Sequence, residues 1–71
     1  MYAFSKIIRN AEHVRRYSIR TSAAGWDVLE EEDSLVIRQT SLSDWHRVER
    51  VRRSFVMEMN HLQEKGWSIE N

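Results

Sequence analysis

Residues 43–67 read SDWHRVERVRRSFVMEMNHLQEKGW, which is the clearest structural pattern in the sequence. Its apolar residues recur every three or four positions, which is the spacing of one face of an α-helix. They are Trp45, Val48, Val51, Phe55, Met59 and Leu62. Ser43 is a suitable N-cap, and Gly66 and Trp67 fit a Schellman ending. We predict a helix over residues 43–65, roughly 33 Å long, that forms the main wall of the core.

Two β-rich segments precede this helix, WDVLEE at residues 26–31 and LVIRQT at residues 35–40. Both have the composition of strands, and polar residues separate them. A two-residue turn at Glu32–Asp33 would set their register, although a longer loop is the alternative because the favoured Asn-Gly pair is absent. The pairs that this turn predicts are Val28 with Ile37, Leu29 with Val36, and Asp27 with Arg38.

A third strand is predicted over residues 14–22, where Tyr17, Ile19 and Thr21 alternate on one face. The following SAAG reads as a turn, because Gly25 supplies freedom of φ. The predicted pairs are Thr21 with Trp26, Ile19 with Val28, Tyr17 with Glu30, and Arg16 with Glu31. The three segments then form a three-stranded antiparallel β-meander with the WDVLEE strand in the centre.

The two faces of this predicted sheet differ in character. One is apolar and receives the long helix; its residues are Tyr17, Ile19, Trp26, Val28, Leu35 and Ile37. The opposite face is partly apolar through Leu29 and Val36. Either the N-terminal segment or a second copy of the chain is expected to cover it.

The first residues fit two conformations. Phe4, Ile8 and Ala11 have helical spacing, and Ser5 is a possible cap, so a short helix over residues 5–13 is our prediction. A strand is the alternative, since Phe4 and Ile8 would also lie on one side of an extended chain. The predicted class is therefore α+β, a single small globular domain over residues 1–71.

Charge is balanced overall but arranged in blocks along the 71 residues. Eleven Lys and Arg match eleven Asp and Glu, so the basic excess typical of nucleic-acid-binding domains is absent. Basic residues dominate positions 1–20 and 35–53, whereas only acidic ones occur at 21–34. The run from Glu30 to Asp33 is expected to pair with Arg15 or Arg16 across the strands rather than to bind a cation.

Several classes of protein are disfavoured by composition. The chain has no Cys, which excludes disulfides and thiolate metal sites. No apolar run approaches the ~20 residues that cross a bilayer, and the start lacks a secretion signal. We expect a cytoplasmic protein of the small bacterial type, without membrane contact.

The helix carries the one basic cluster that invites a functional interpretation. A helical wheel places Arg47, Arg50 and Arg53 in an outward stripe, with Met57 and His61 on the same side. One interpretation is a surface that contacts phosphates or a protein partner. The other, which we favour, is a solvated helix face, because Asp44 in the same region would repel phosphate.

No constellation for catalysis or metal binding is present. His46 and His61 are fifteen residues apart on the helix, or ~22 Å, and cannot share an ion within one chain. Neither a G-x-S-x-G motif nor a glycine-rich phosphate loop occurs. We expect no enzyme activity, no catalytic residue, no cofactor and no small-molecule substrate.

Two hypotheses follow from these observations. The first is a non-enzymatic protein–protein interaction module that self-associates, because the core is thin and the second sheet face is half apolar. The second is nucleic-acid binding through Arg47, Arg50 and Arg53, which predicts a steep dependence of affinity on salt.

Overall fold

The computed structural model describes residues 2–70, with side chains from Phe4 to Glu70. Its elements are β1 (Tyr2–Asn10), β2 (His13–Ser22), β3 (Gly25–Glu32), β4 (Leu35–Leu42), α1 (Trp45–Glu64) and β5 (Ser68–Glu70). The strands form one antiparallel sheet in the order β4-β3-β2-β1-β5, and α1 packs on one face. The predicted α+β class is confirmed, with an antiparallel sheet and one C-terminal helix. The sheet nevertheless has five strands, and four of them form the meander in place of the predicted three.

The predicted short helix over residues 5–13 is wrong. Residues 5–10 belong to strand β1, residues 11–12 form a turn and His13 begins β2. Strand β1 pairs with β2 on one side and with β5 on the other. Ile8 is fully buried and Phe4 packs against the core from the same face, so the two-residue period prevails over the helical spacing. Pairing on both sides satisfies backbone groups that a short exposed helix would leave to water. The N-terminal segment therefore widens the sheet and does not cover its opposite face.

The register between β2 and β3 is as predicted. Thr21 lies opposite Trp26, and Ile19 lies opposite Val28. Further along, Tyr17 faces Glu30. The basic and acidic blocks consequently meet in the middle of the sheet.

The predicted register between β3 and β4 is wrong. The turn consists of Asp33 and Ser34, whose φ angles are +52° and +70°, so Glu32 faces Leu35. Positive φ at both central residues is the signature of a hairpin turn whose twist matches that of the strands. A bulge then leaves Ile37 without a partner, and Arg38 faces Glu30.

This shift changes which side chains of β4 meet the helix. Leu35 and Ile37, both predicted to face the core, are 71% and 48% exposed. After the bulge, the residues of β4 on the inner face are Arg38, Thr40 and Leu42, of which Leu42 is buried. The β4 strand thus contributes little to the core until its last residue.

Phe55 lies at the centre of the core, with its ring 4.8 Å from that of Tyr17. The buried cluster contains Ile8, Tyr17, Ile19, Val28, Leu42, Val48, Phe55 and Met59. The helix face predicted from the sequence is therefore the buried one. Of residues 2–70, no element covers the opposite face of the sheet.

The two ends of α1 differ in how well they were predicted. The N-cap is Asp44, one residue after the predicted Ser43, and its carboxylate accepts a hydrogen bond from the His46 amide at 2.9 Å. The predicted Schellman ending is confirmed. Trp67 N–H donates to Leu62 O at 3.0 Å, and Gly66 N–H donates to Gln63 O at 3.1 Å. This ending turns the chain back so that β5 reaches β1.

Candidate interaction surface at the β4 edge

Within residues 2–70, β4 forms one edge of the sheet and pairs only with β3. Leu35, Val36 and Ile37, which we call the edge segment, have exposed fractions of 71%, 53% and 48%. Three consecutive apolar residues cannot all face one side of a pleated strand, because neighbours point to opposite faces. The edge segment therefore presents apolar side chains beside a row of unpaired backbone groups.

A cleft opens between the inner face of β4 and the first turns of α1. It has a volume of about 270 Å³ and is lined by Val28, Arg38, Thr40, Leu42, Arg47, Arg50 and Val51. We call it the Arg cleft. Three arginines and one threonine line it beside apolar residues, and none of the lining residues is acidic.

The structure separates the contact residues predicted from the sequence. Arg47 and Arg50 line the Arg cleft, whereas Arg53 and Met57 line a shallow groove on the outer side of α1. His61 is exposed in the last turn of the helix and lines neither cavity. The predicted stripe is therefore divided between two surfaces.

Arg38 is the cleft arginine that the sequence did not indicate. Its guanidinium carbon lies 5.3 Å from the centre of the Phe55 ring, within the range of a cation–π contact. Its cross-strand neighbour is Glu30. Because the predicted register placed Ile37 on the inner face, Arg38 was assigned to the outer one. The bulge at Ile37 reverses that assignment, and a bulge leaves little trace in a single sequence.

Within residues 2–70, only some of the basic side chains form ion pairs. The observed pairs are Arg9 with Glu70, Arg15 with Glu32 and Glu58, Arg20 with Asp27, Arg52 with Glu49, and His13 with Asp33. The Arg15–Glu32 contact, at 2.8 Å, is the cross-strand pairing predicted for the acidic run. In the same part of the chain, Arg16, Arg38, Arg47, Arg50 and Arg53 form no ion pair. Three of these five line the Arg cleft.

A partly buried charge network lies farther along the same side of α1. Arg15 donates hydrogen bonds to Glu58 at 3.1 Å and to the Tyr17 hydroxyl at 3.4 Å. Burial raises the pKa of Glu30, the nearby Glu58 carboxylate raises it further, and Arg38 opposes the rise. Burial likewise raises the pKa of Tyr17. The network joins β2 and β3 to the helix, and its charged groups interact with one another.

Comparisons with protein-family models, curated proteins and solved structures found no match for this chain. Within residues 2–70, no group of three or more His, Cys, Asp or Glu side chains is placed to hold a metal ion. The one helix in that range is not apolar enough to span a membrane. The features of the molecule that bear on function are therefore the edge segment and the Arg cleft.

Proposed function

We propose that this chain is a non-enzymatic protein-interaction domain that self-associates by pairing β4 with β4 of a second copy. The observation that carries the proposal is the edge segment, Leu35–Ile37, which is apolar, exposed and located on a strand whose outer side is unpaired. Sheet edges of this kind recruit a further strand, because main-chain hydrogen bonds and apolar contacts form together.

Natural sheets protect their edges with lysine, proline, charge, short strands or bulges. β4 is eight residues long, contains neither Lys nor Pro, and carries Arg38 as its one charged residue. The bulge at Ile37 is its one structural interruption. The edge segment itself has no charge to oppose a second strand.

A second copy is the occupant that the sequence of β4 favours. In an antiparallel pair centred on Val36, Leu35 lies beside Ile37 of the second copy, so apolar side chains meet apolar side chains. The same register keeps the two Arg38 side chains apart. The formal net charge of zero also removes long-range repulsion between copies.

The test compares two lysine substitutions at equally exposed apolar positions. Leu35 in the edge segment and Met57 on the outer side of α1 are both 71% exposed. Sedimentation at micromolar concentration is expected to show a dimer for the wild type and for Met57→Lys, and a monomer for Leu35→Lys. Circular dichroism checks that each variant retains the fold.

Other outcomes would refute the proposal in distinguishable ways. A monomeric wild type would exclude self-association. A dimer that survives Leu35→Lys would place the interface elsewhere, for example on the uncovered sheet face around Leu29. Dissociation caused only by Met57→Lys would place it on α1.

A further inference from the structure

We propose that the Arg cleft binds a small organic phosphate, with the phosphate held by Arg38, Arg47 and Arg50 and an apolar group of the ligand held against the cleft wall. This binding site is separate from the self-association proposed above. It lies within a single copy of the chain, between β4 and α1.

Unmatched positive charge is the first observation behind the proposal. Arg47 and Arg50 are exposed, and neither forms an ion pair with any residue from 2 to 70. Three arginines around one cleft suit a dianionic group with three terminal oxygens, because guanidinium forms paired, charge-assisted hydrogen bonds with phosphate. A carboxylate would satisfy fewer of these donors.

Arg38 is exposed, but contacts within its own chain restrict its guanidinium before any ligand arrives. The face of Phe55 lies 5.3 Å from its guanidinium carbon, and Phe55 itself is fully buried. Glu30 lies opposite Arg38 on the neighbouring strand β3 and interacts with it electrostatically, but Glu30 does not line the cleft. A cation positioned by rigid neighbours loses little conformational freedom on binding, which favours affinity.

The apolar wall sets the second part of the ligand. Val28 and Leu42 are buried side chains that form part of the lining, and Val51 of α1 completes the apolar part. The hydroxyl of Thr40 adds a hydrogen-bonding group from β4. A volume of about 270 Å³ falls just below the roughly 300–1,000 Å³ usual for drug-sized ligands. The ligand is therefore small, with one phosphate and one compact apolar group.

Confinement distinguishes this site from a nucleic-acid surface. A strand of nucleic acid would need a row of cations along its backbone. Arg53, the third member of the predicted stripe, lines a different groove on α1. The three arginines that line the one cavity belong to two elements, β4 and α1.

The experiment uses phenyl phosphate as the probe, with the full chain and amide chemical shifts as the readout. We expect the amides of Thr40, Arg47 and Arg50 to shift saturably at millimolar probe. Arg50→Ala should weaken the affinity about tenfold, because one charge-assisted interaction is lost. Arg53→Ala is the matched control: it removes the same charge three residues along the same helix, and the affinity should change less than about twofold.

Several results would overturn the proposal. An absence of saturable shifts at the cleft residues would exclude phosphate binding there. Equal weakening by Arg50→Ala and Arg53→Ala would show attraction to helix charge in general. Equal affinity for benzoate would refute the phosphate assignment, and tighter binding of single-stranded DNA or RNA that depends on Arg53 would favour the stripe. The Leu35→Lys variant should bind phenyl phosphate as the wild type does, so a failure of self-association leaves this test intact.

Discussion

The two edges of the sheet are built in opposite ways. At one edge, β5 has three residues, with Ile69 packed against the core and Glu70 paired with Arg9. At the other edge, β4 has eight residues and leaves Leu35–Ile37 exposed. One terminal strand is therefore short and charged, whereas the other is long and apolar over its first part.

This difference indicates where a partner strand can be added. Short strands and charged side chains are the features that keep sheet edges from pairing, and β5 has both. Pairing of β4 with its own copy about a two-fold axis closes into a dimer, whereas pairing at both edges would add copies without closure. The contrast between the edges thus favours a finite assembly over a growing one.

The largest expected effect is a difference in stability between the alanine variants of two glycines. Gly25 lies beside the end of β4, and Gly66 lies shortly before β5. Gly25 has φ +141°, and a Cβ atom there would lie 2.4 Å from the carbonyl oxygen of Leu42 at the end of β4. Gly66 has φ +102°, and a Cβ atom would meet nothing within 4 Å. We expect Gly25→Ala to lower the free energy of unfolding by about 3 kcal/mol or more. Gly66→Ala should lower it by about 1 kcal/mol, from backbone strain alone.

Urea denaturation of both glycine variants provides the measurement. A similar decrease in the free energy of unfolding for the two variants would mean that the end of β4 moves to accommodate the added methyl group. The approach of Gly25 to Leu42 would then contribute nothing specific to the position of β4.

A smaller effect comes from the same residue type at the two edges. Ile69 in β5 packs against the core, whereas Ile37 in β4 is 48% exposed. Ile69→Ala should lower the free energy of unfolding by roughly 1–2 kcal/mol, and Ile37→Ala should change it by less than about 0.5 kcal/mol. Ile37→Ala should instead weaken self-association, as measured by sedimentation.

The stability comparison requires concentrations at which the chain is monomeric, because the proposed self-association would itself stabilise the folded state. If Ile37→Ala destabilised the monomer as much as Ile69→Ala does, the edge segment would be packing on its own chain. The contrast between the two edges would then be lost.

The parts of the fold that the sequence predicted are those with several agreeing local signals. The α1 helix combines apolar periodicity with a glycine-based ending, and both are present in the structure. The β2–β3 pairing combines apolar partners such as Ile19 and Val28 with opposite charges such as Arg16 and Glu31. Each signal alone is weak, but together they admit one register.

The missed parts depend on interactions that are distant in sequence or on backbone geometry. β1 is a strand because β2 and β5 pair with it, and β5 begins more than fifty residues later. The β3–β4 register depends on positive φ at Asp33 and Ser34 and on an unpaired Ile37. Part of the candidate surface was consequently misplaced, since the bulge at Ile37 moves Arg38 from the predicted outer face to the inner face.

The smallest expected effect concerns the turn that begins β4. The Asp33 carboxylate contacts the His13 ring at 2.9 Å and accepts a hydrogen bond from the Val14 amide, also at 2.9 Å. The hydrogen bond and charge of Asp33 raise the pKa of His13 above its usual 6.5. His13, followed by the Val14 amide, lowers the pKa of Asp33 below its usual 3.8. This pair, which we call the Asp33–His13 contact, therefore connects the turn before β4 to the start of β2.

The direction of each pKa shift defines the pH range in which the Asp33–His13 contact stabilises the fold. The His13 contribution is complete below pH 6.5 and is lost as the pH rises through the elevated pKa in the folded state. The Asp33 contribution is complete above pH 3.8 and is lost as the pH falls through the lowered pKa. We therefore expect the Asp33–His13 contact to stabilise the folded state most between these two pH values.

Asp33→Asn isolates this effect, because asparagine keeps an oxygen for the Val14 amide and tolerates positive φ. The difference in Tm between wild type and variant should be greatest between pH 3.8 and 6.5 and should narrow on either side. An NMR titration should show the pKa of His13 falling toward its usual value in the variant. A Tm difference that is constant with pH, together with an unchanged His13 titration, would mean that the charge of Asp33 does not hold the β4 turn, and that its backbone contacts with Val14 suffice.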